Sequence, residues 1–175
     1  MTVAPDRARL FFALWPDPSV SSALAQIAIQ ARAECGGRAI PLQKIHLTVV
    51  FVGAVERSRI ANVQSCAAAL AIEPFELELS TLGYWRHNRI VWAGATSCPR
   101  ALAALVAALS HELAGLGIHS EDRPYVPHVT LVRNARCPPR ELHMDPLQWR
   151  ARELVLVESV TGASRYEVLA RWPLV

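Results

Sequence analysis

The sequence predicts an α+β protein of two pseudo-symmetric lobes, each a mainly antiparallel sheet with helices packed outside, with a central cleft between them. Three observations lead there. Strand-like and helix-like patterns alternate through the first half of the chain and return in the second. A short motif, histidine-apolar-threonine-apolar, occurs as His46-Leu47-Thr48-Val49 and again as His128-Val129-Thr130-Leu131, and the two copies lie about equally far from the middle of the 175 residues. The 52% hydrophobic content is ample for a real core, so residues 1–175 read as a single domain made of two lobes.

Each element has its own signal. Arg9 to Leu14 is a strand candidate halted by Trp15-Pro16-Asp17-Pro18. Asp17 can cap a helix and Pro18 suits its first position; Val20, Leu24, Ile27 and Ala31 then recur at helical spacing until Gly36-Gly37. A loop with Pro41 delivers the first histidine strand, His46 to Val52, expected to end at Gly53. Ile60, Val63, Ala67 and Leu70 mark a second helix. Phe75 to Leu79 alternates as a half-buried strand should, and is expected to form a hairpin with Arg89 to Ala93 across a turn at Tyr84 to Asn88. Pro99 opens the strongest helix, with Leu102, Leu105, Val106, Leu109, Leu113 and Leu116 in one stripe and glycines at its end. A polar loop from His119 leads to the second histidine strand. After the Pro-rich stretch from Pro138 to Pro146, Leu154 to Val160 and Tyr166 to Trp172 read as a hairpin around Thr161-Gly162.

Bulk properties limit the function classes. The net charge of +3 and pI near 8.9 suit a phosphate-bearing partner without requiring one. Lys44 is the sole lysine, so the positive charge is nearly all arginine, whose planar fork matches phosphate oxygens. Cys35, Cys66, Cys98 and Cys137 lack C-x-x-C or zinc-like spacing and read as reduced thiols of a cytoplasmic protein. No secretory segment and no run long enough for a bilayer is visible, which points away from a membrane partner. Nothing indicates self-association, so a monomer is expected.

The repeated motif carries the chemistry. Side chains alternate along a strand, so His46 and Thr48 share one face while Leu47 and Val49 anchor the other; His128 and Thr130 repeat the pattern. Two of six histidines followed by threonine at this spacing is expected by chance in about one sequence in fifty. Two histidines across a phosphorus centre can take a proton from water and return one to a leaving alkoxide, each contributing about 10²- to 10⁴-fold. Threonine hydroxyls can donate to the non-bridging oxygens as charge builds. No carboxylate accompanies either histidine at ligand spacing, so neither a metal nor another cofactor is expected.

At these residues the sequence resembles the two-histidine phosphoesterases, specifically the bacterial RNA 2',3'-cyclic phosphodiesterase or 2'-5' RNA ligase (LigT-like) family. The resemblance rests on Arg9 to Ala13, Lys44 to Gly53, Arg123 to Arg133, and the closing stretches Leu154 to Ser159 and Arg165 to Leu169. It implies a bilobal α+β fold with both motifs in a central cleft, and metal-independent hydrolysis of the 2',3'-cyclic phosphate at RNA 3' ends or on nucleotides to a 2'-phosphomonoester. Carried over, His46 and His128 are the acid and base, with His128 preferred as base, and Thr48 and Thr130 bind phosphate. Arg133 ends the second motif as the family's arginine does. Strict alternation from His128 would put Arg133 on the wrong face, so a bulge or strand end just before it is required. Phe11 shares a face with Arg9 and Ala13 and is a candidate to line the cleft and stack on a base. His87, His111, His119 and His143 lack a threonine partner and read as surface or structural; the tryptophans read as packing residues, with Trp85 beside Arg86 the one to inspect. The alternatives are a 2'-5' RNA ligase, a phosphodiesterase for another cyclic phosphate, and a non-catalytic module that binds RNA ends.

Overall fold

A computed structural model of the chain describes residues 6–119, 124–160 and 165–175. Its elements are β1 (Arg7–Leu14), α1 (Pro18–Cys35), β2 (Arg38–Ala39), β3 (Leu47–Glu56), α2 (Ile60–Ala68), β4 (Phe75–Leu79), β5 (Thr81–Trp85), β6 (Ile90–Gly94), α3 (Arg100–Gly115), β7 (His128–Arg133), β8 (Leu147–Ala151), β9 (Glu153–Val160) and β10 (Arg165–Pro173). The larger sheet runs β10-β9-β1-β3-β7-β6-β5, with β2 also paired to β7, and all its pairs are antiparallel. Its two wings, β10-β9-β1-β3 and β7-β6-β5, meet at one registered pair, Leu47 opposite Val129. The two expected sheets are therefore joined into a continuous path at the histidine motifs.

The chain's halves do not map onto the wings. The closing hairpin β9–β10 pairs with β1, and so returns to the wing that holds the first motif. The reason lies in β1, where Leu10, Phe12 and Leu14 are buried on one face and Phe11 and Ala13 on the other. A strand buried on both faces sits inside a sheet, and β1 needs a neighbour on each edge. The helices cross over as well: α1, which leaves β1, packs against β7 and β2, while α3, which leaves β6, packs against β3.

Local chemistry explains the helix positions. The Asp17 carboxylate accepts the Val20 amide at 3.1 Å, closing the start of α1, a cap worth about 1 kcal/mol. Gly36 ends it with φ at 69°. Val20, Leu24, Ala28, Ala31 and Cys35 form its buried face, and Leu102, Leu105, Leu109 and Leu113 that of α3.

Two expectations need correction. The first histidine strand continues through Gly53, at φ 83°, to Glu56. The strand Phe75–Leu79 pairs with Leu147–Ala151 in a separate two-stranded sheet, and the hairpin partner of β6 is β5. The expected turn at Tyr84 to Asn88 takes in the last two residues of β5, which includes Gly83. A Cβ there would lie 2.0 Å from Cζ2 of Trp92, so the glycine answers a close packing contact inside a strand. The expected turn at Thr161-Gly162 lies outside the described residues.

Candidate active site

The pair Leu47–Val129 fixes the arrangement of both motifs. Stepping one residue either way in an antiparallel register sets His46 against Thr130 and Thr48 against His128. Leu47 and Val129 are fully buried and anchor the opposite face, while the two histidines and two threonines are all partly exposed. Each histidine is thus flanked by a threonine along its own strand and by another across the junction.

Both rings are oriented alike. His46 Nδ1 lies 2.7 Å from the Lys44 carbonyl and His128 Nδ1 lies 2.8 Å from the Val126 carbonyl, in each case two residues upstream. A carbonyl only accepts, so Nδ1 carries the proton and Nε2 is turned to the shared face. His46 Nε2 then accepts from the Thr48 hydroxyl at 3.2 Å. Tyr125 ties the two motifs together, donating from its partly buried hydroxyl to the Thr48 carbonyl at 2.8 Å; burial pushes its pKa up and keeps the phenol protonated.

The surroundings of the histidines differ. His46 stacks on Trp15 with ring centroids 5.0 Å apart and planes 18° apart, lies 5.0 Å from Phe11, and meets the edge of Tyr166 at 5.4 Å. This burial lowers its pKa from 6.5 to about 4, although the Lys44 carbonyl pulls it up; the charge of Arg133 and the proximity of a second ionisable ring, His128, push it down further. His128 packs edge-on against Trp85 at 4.5 Å, with Trp92 at 6.4 Å.

Arg133 reaches this face through the required bulge. Trp92 pairs with Thr130 and Val91 with Val132, which leaves Leu131 as an extra residue on β7. Leu131 and Val132 are consequently both buried, and Arg133 returns to the side of His128 and Thr130, exposed and close enough for its charge to act on His46. The first motif does the same. Ala13 pairs with Thr48 and Phe12 with Val50, so Val49 is the extra residue, and Phe51 returns to the histidine side. Phe51 therefore occupies the place in the first motif that Arg133 holds in the second, five residues after the histidine.

Phe11 is brought to the site in a different capacity from the one expected. Its ring is 3% exposed, packed between His46, Phe51 and Tyr166, and it walls the histidine without offering a face to a base. The open ring is Phe51, 47% exposed, stacked on Phe11 and approached by the Arg9 guanidinium at 5.1 Å. Sequence reasoning missed Phe51, Trp15 and Tyr166; comparing the position five residues after each histidine would have found the first. His87, His111, His119 and His143 are exposed and outside this constellation. Among the described residues no three His, Cys, Asp or Glu side chains converge to hold a metal ion. A surface hollow of about 610 Å³ lies elsewhere, at the end of α1 around Cys35, Gly36 and Arg136, and contains no histidine.

Comparison with known proteins agrees with this geometry. The chain is 31% identical over 144 residues to the RNA 2',3'-cyclic phosphodiesterase of Escherichia coli (strain K12), covering 79% of this chain and 80% of that one. It is 30% identical over 165 residues to the protein of the same description from Thermus thermophilus, covering 86% and 81%. The crystal structure of E. coli LigT complexed with 3'-AMP superposes with a TM-score of 0.81 at 28% identity, covering 97% of this chain and 99% of that one. The 2'-5' RNA ligase superfamily profile matches residues 16–163, and with two histidine-threonine motifs facing each other across one junction, the chain belongs to that superfamily.

Proposed function

We propose that this protein hydrolyses the 2',3'-cyclic phosphate of RNA 3' ends or nucleotides to a 2'-phosphomonoester, using His46 and His128 as the acid and base. The observation that carries the reading is the crosswise register, which gives one phosphate two imidazole Nε2 atoms and two threonine hydroxyls on one face. Relatives described as RNA 2',3'-cyclic phosphodiesterases, and a LigT structure holding 3'-AMP, support the substrate class.

In the proposed reaction a water oxygen attacks phosphorus opposite the 3'-oxygen. His128 Nε2 takes the water proton, the bond from phosphorus to the 3'-oxygen breaks, and His46 Nε2–H protonates that oxygen. The product has a 2'-phosphate and a 3'-hydroxyl, and the two histidines have exchanged protonation states. His46 suits the acid role because Trp15, Phe11 and Tyr166 surround it; a buried imidazolium is a strong proton donor, and the phosphate's negative charge is what allows it to form. Protonation of Nε2 also releases the Thr48 hydroxyl, which then donates to a non-bridging oxygen alongside Thr130. Arg133 offsets the negative charge from the rim.

The chain acts as one two-lobed unit, as a monomer, in the cytoplasm. The wings are joined at the site itself, and among the described residues no helix is long and apolar enough to cross a membrane. The test is a product assay on an oligonucleotide with a cyclic end, run in EDTA. Conversion to the 2'-phosphate is expected, with loss of at least about 10³-fold in His46→Gln and in His128→Gln. Full activity in either variant, a 3'-phosphate product, or recovery only with added divalent metal would refute the assignment.

A further inference from the structure

We infer that Trp85 and Trp92 form a second nucleobase subsite, on the His128 side of the phosphate, which takes the base of the nucleotide preceding the cyclic end. The inference rests on the proposed reaction for its substrate and on separate observations for its location.

Trp92 pairs directly with Thr130, and residues directly opposite in a sheet share a face, so the indole lies on the face of the two motifs. Two glycines make room for it to lie down. A Cβ on Gly83 would be 2.0 Å from Cζ2 of Trp92, and one on Gly94 would be 2.5 Å from Cζ3. With both neighbours bare, the six-membered ring rests on the backbone of the sheet, one face down. Trp85, at the end of β5, leans on it at 5.2 Å and 37°, and its ring stands nearly perpendicular to that of His128 at 4.5 Å. Both indoles are partly exposed.

Simple core packing accounts poorly for this pair. The Trp92 Nε1 donor is buried with no hydrogen-bond partner among the described residues, a cost that phenylalanine would avoid in the same place. The indoles also sit on the partly exposed motif face, with the hydrophobic core on the other side of the sheet. Beyond Trp85 the turn to β6 presents Arg86 and Arg89, both exposed, where a polynucleotide backbone would continue. Phe51, half exposed with the Arg9 guanidinium over its ring, lies on the opposite wing. The face thus has an aromatic platform on each side of the phosphate. A mononucleotide has one base to place, whereas an RNA end has several, and stacking on indole accepts any of them.

The experiment compares kcat/KM for a nucleoside 2',3'-cyclic phosphate with that for a dinucleotide ending in the same cyclic phosphate. The wild-type protein is expected to prefer the dinucleotide by about tenfold, as one stacked base contributes. Trp85→Ala removes that preference and Trp85→Phe keeps most of it. A dinucleotide abasic at its first position falls to the mononucleotide value with wild-type protein, a measurement that needs no variant. The inference is overturned if the abasic dinucleotide is as good as the complete one, or if Trp85→Ala slows both substrates equally, which would make Trp85 only a support for His128. Inactivity of the wild-type protein on every cyclic phosphate would refute the proposed reaction instead.

Discussion

If His46 is the acid, substrate binding must bring a proton with it. In the free protein its pKa is held near 4, chiefly by burial among Trp15, Phe11 and Tyr166, so at neutral pH the ring is uncharged. A phosphodiester places one negative charge about 4 Å from Nε2, worth about 4 kcal/mol at an effective dielectric of about 20. At about 1.4 kcal/mol per unit, that moves the pKa up by about three units, to about 7 in the complex. Between those values binding takes up one proton, and affinity falls about tenfold for each unit that pH rises. The assay is calorimetric titration of a nucleoside 2',3'-cyclic phosphate into the inactive His128→Gln variant, at pH 5 to 6, in buffers of different ionisation enthalpy. About one proton taken up per ligand is expected, and none when His46→Gln is added. Zero uptake in His128→Gln would mean that His46 stays neutral in the complex, and the acid role would have to pass to His128.

Two further outcomes follow from the same residues. Because the folded pKa of His46 lies below its ordinary 6.5, its effect on stability is absent above about pH 6.5 and grows as pH falls to about 4, where the unfolded chain has bound a proton the folded one has not. The loss approaches about 3 kcal/mol, and melting temperature against pH should show a shallower acid limb for His46→Gln than for the wild type. Tyr125→Phe removes the bond to the Thr48 carbonyl and should cost about 1 kcal/mol in urea denaturation. It should also lower kcat with little change in KM, since it loosens the junction of the two motifs without touching the phosphate.

Much of the site was legible because it is written in local pattern. A strand alternates its faces whatever else the protein does, so His46 with Thr48 and His128 with Thr130 could be paired before any contact was known. The capped start of α1 at Asp17-Pro18 and the leucine stripe of α3 are equally local. What was not legible depended on partners distant in sequence. Nothing in Phe75–Leu79 says that its neighbour is Leu147–Ala151, some seventy residues on, because either pairing would bury the same alternating face. Strand β5 went unread because the indole that needs the missing Cβ of Gly83 belongs to another strand. Phe11 was assigned to the correct face, but its enclosure depends on Tyr166 and Phe51 arriving from two other strands.

The bulges explain why one face can carry so much of the site. A regular strand from His128 would send Arg133 into the apolar side, and one from His46 would bury Phe51. An extra residue after each threonine, Leu131 in one motif and Val49 in the other, puts two consecutive apolar side chains into the core and turns the next residue back. Each motif is therefore a six-residue device, with histidine, threonine and a sixth side chain aimed together and three apolar side chains as its anchor. The copies differ where the task differs. In the proposed reaction, arginine at the sixth place brings charge to the rim of the phosphate, and phenylalanine brings a half-exposed ring. If that division is correct, exchanging the two residues while leaving both bulges intact should preserve the fold and still impair turnover, because each side chain would then face the wrong half of the substrate.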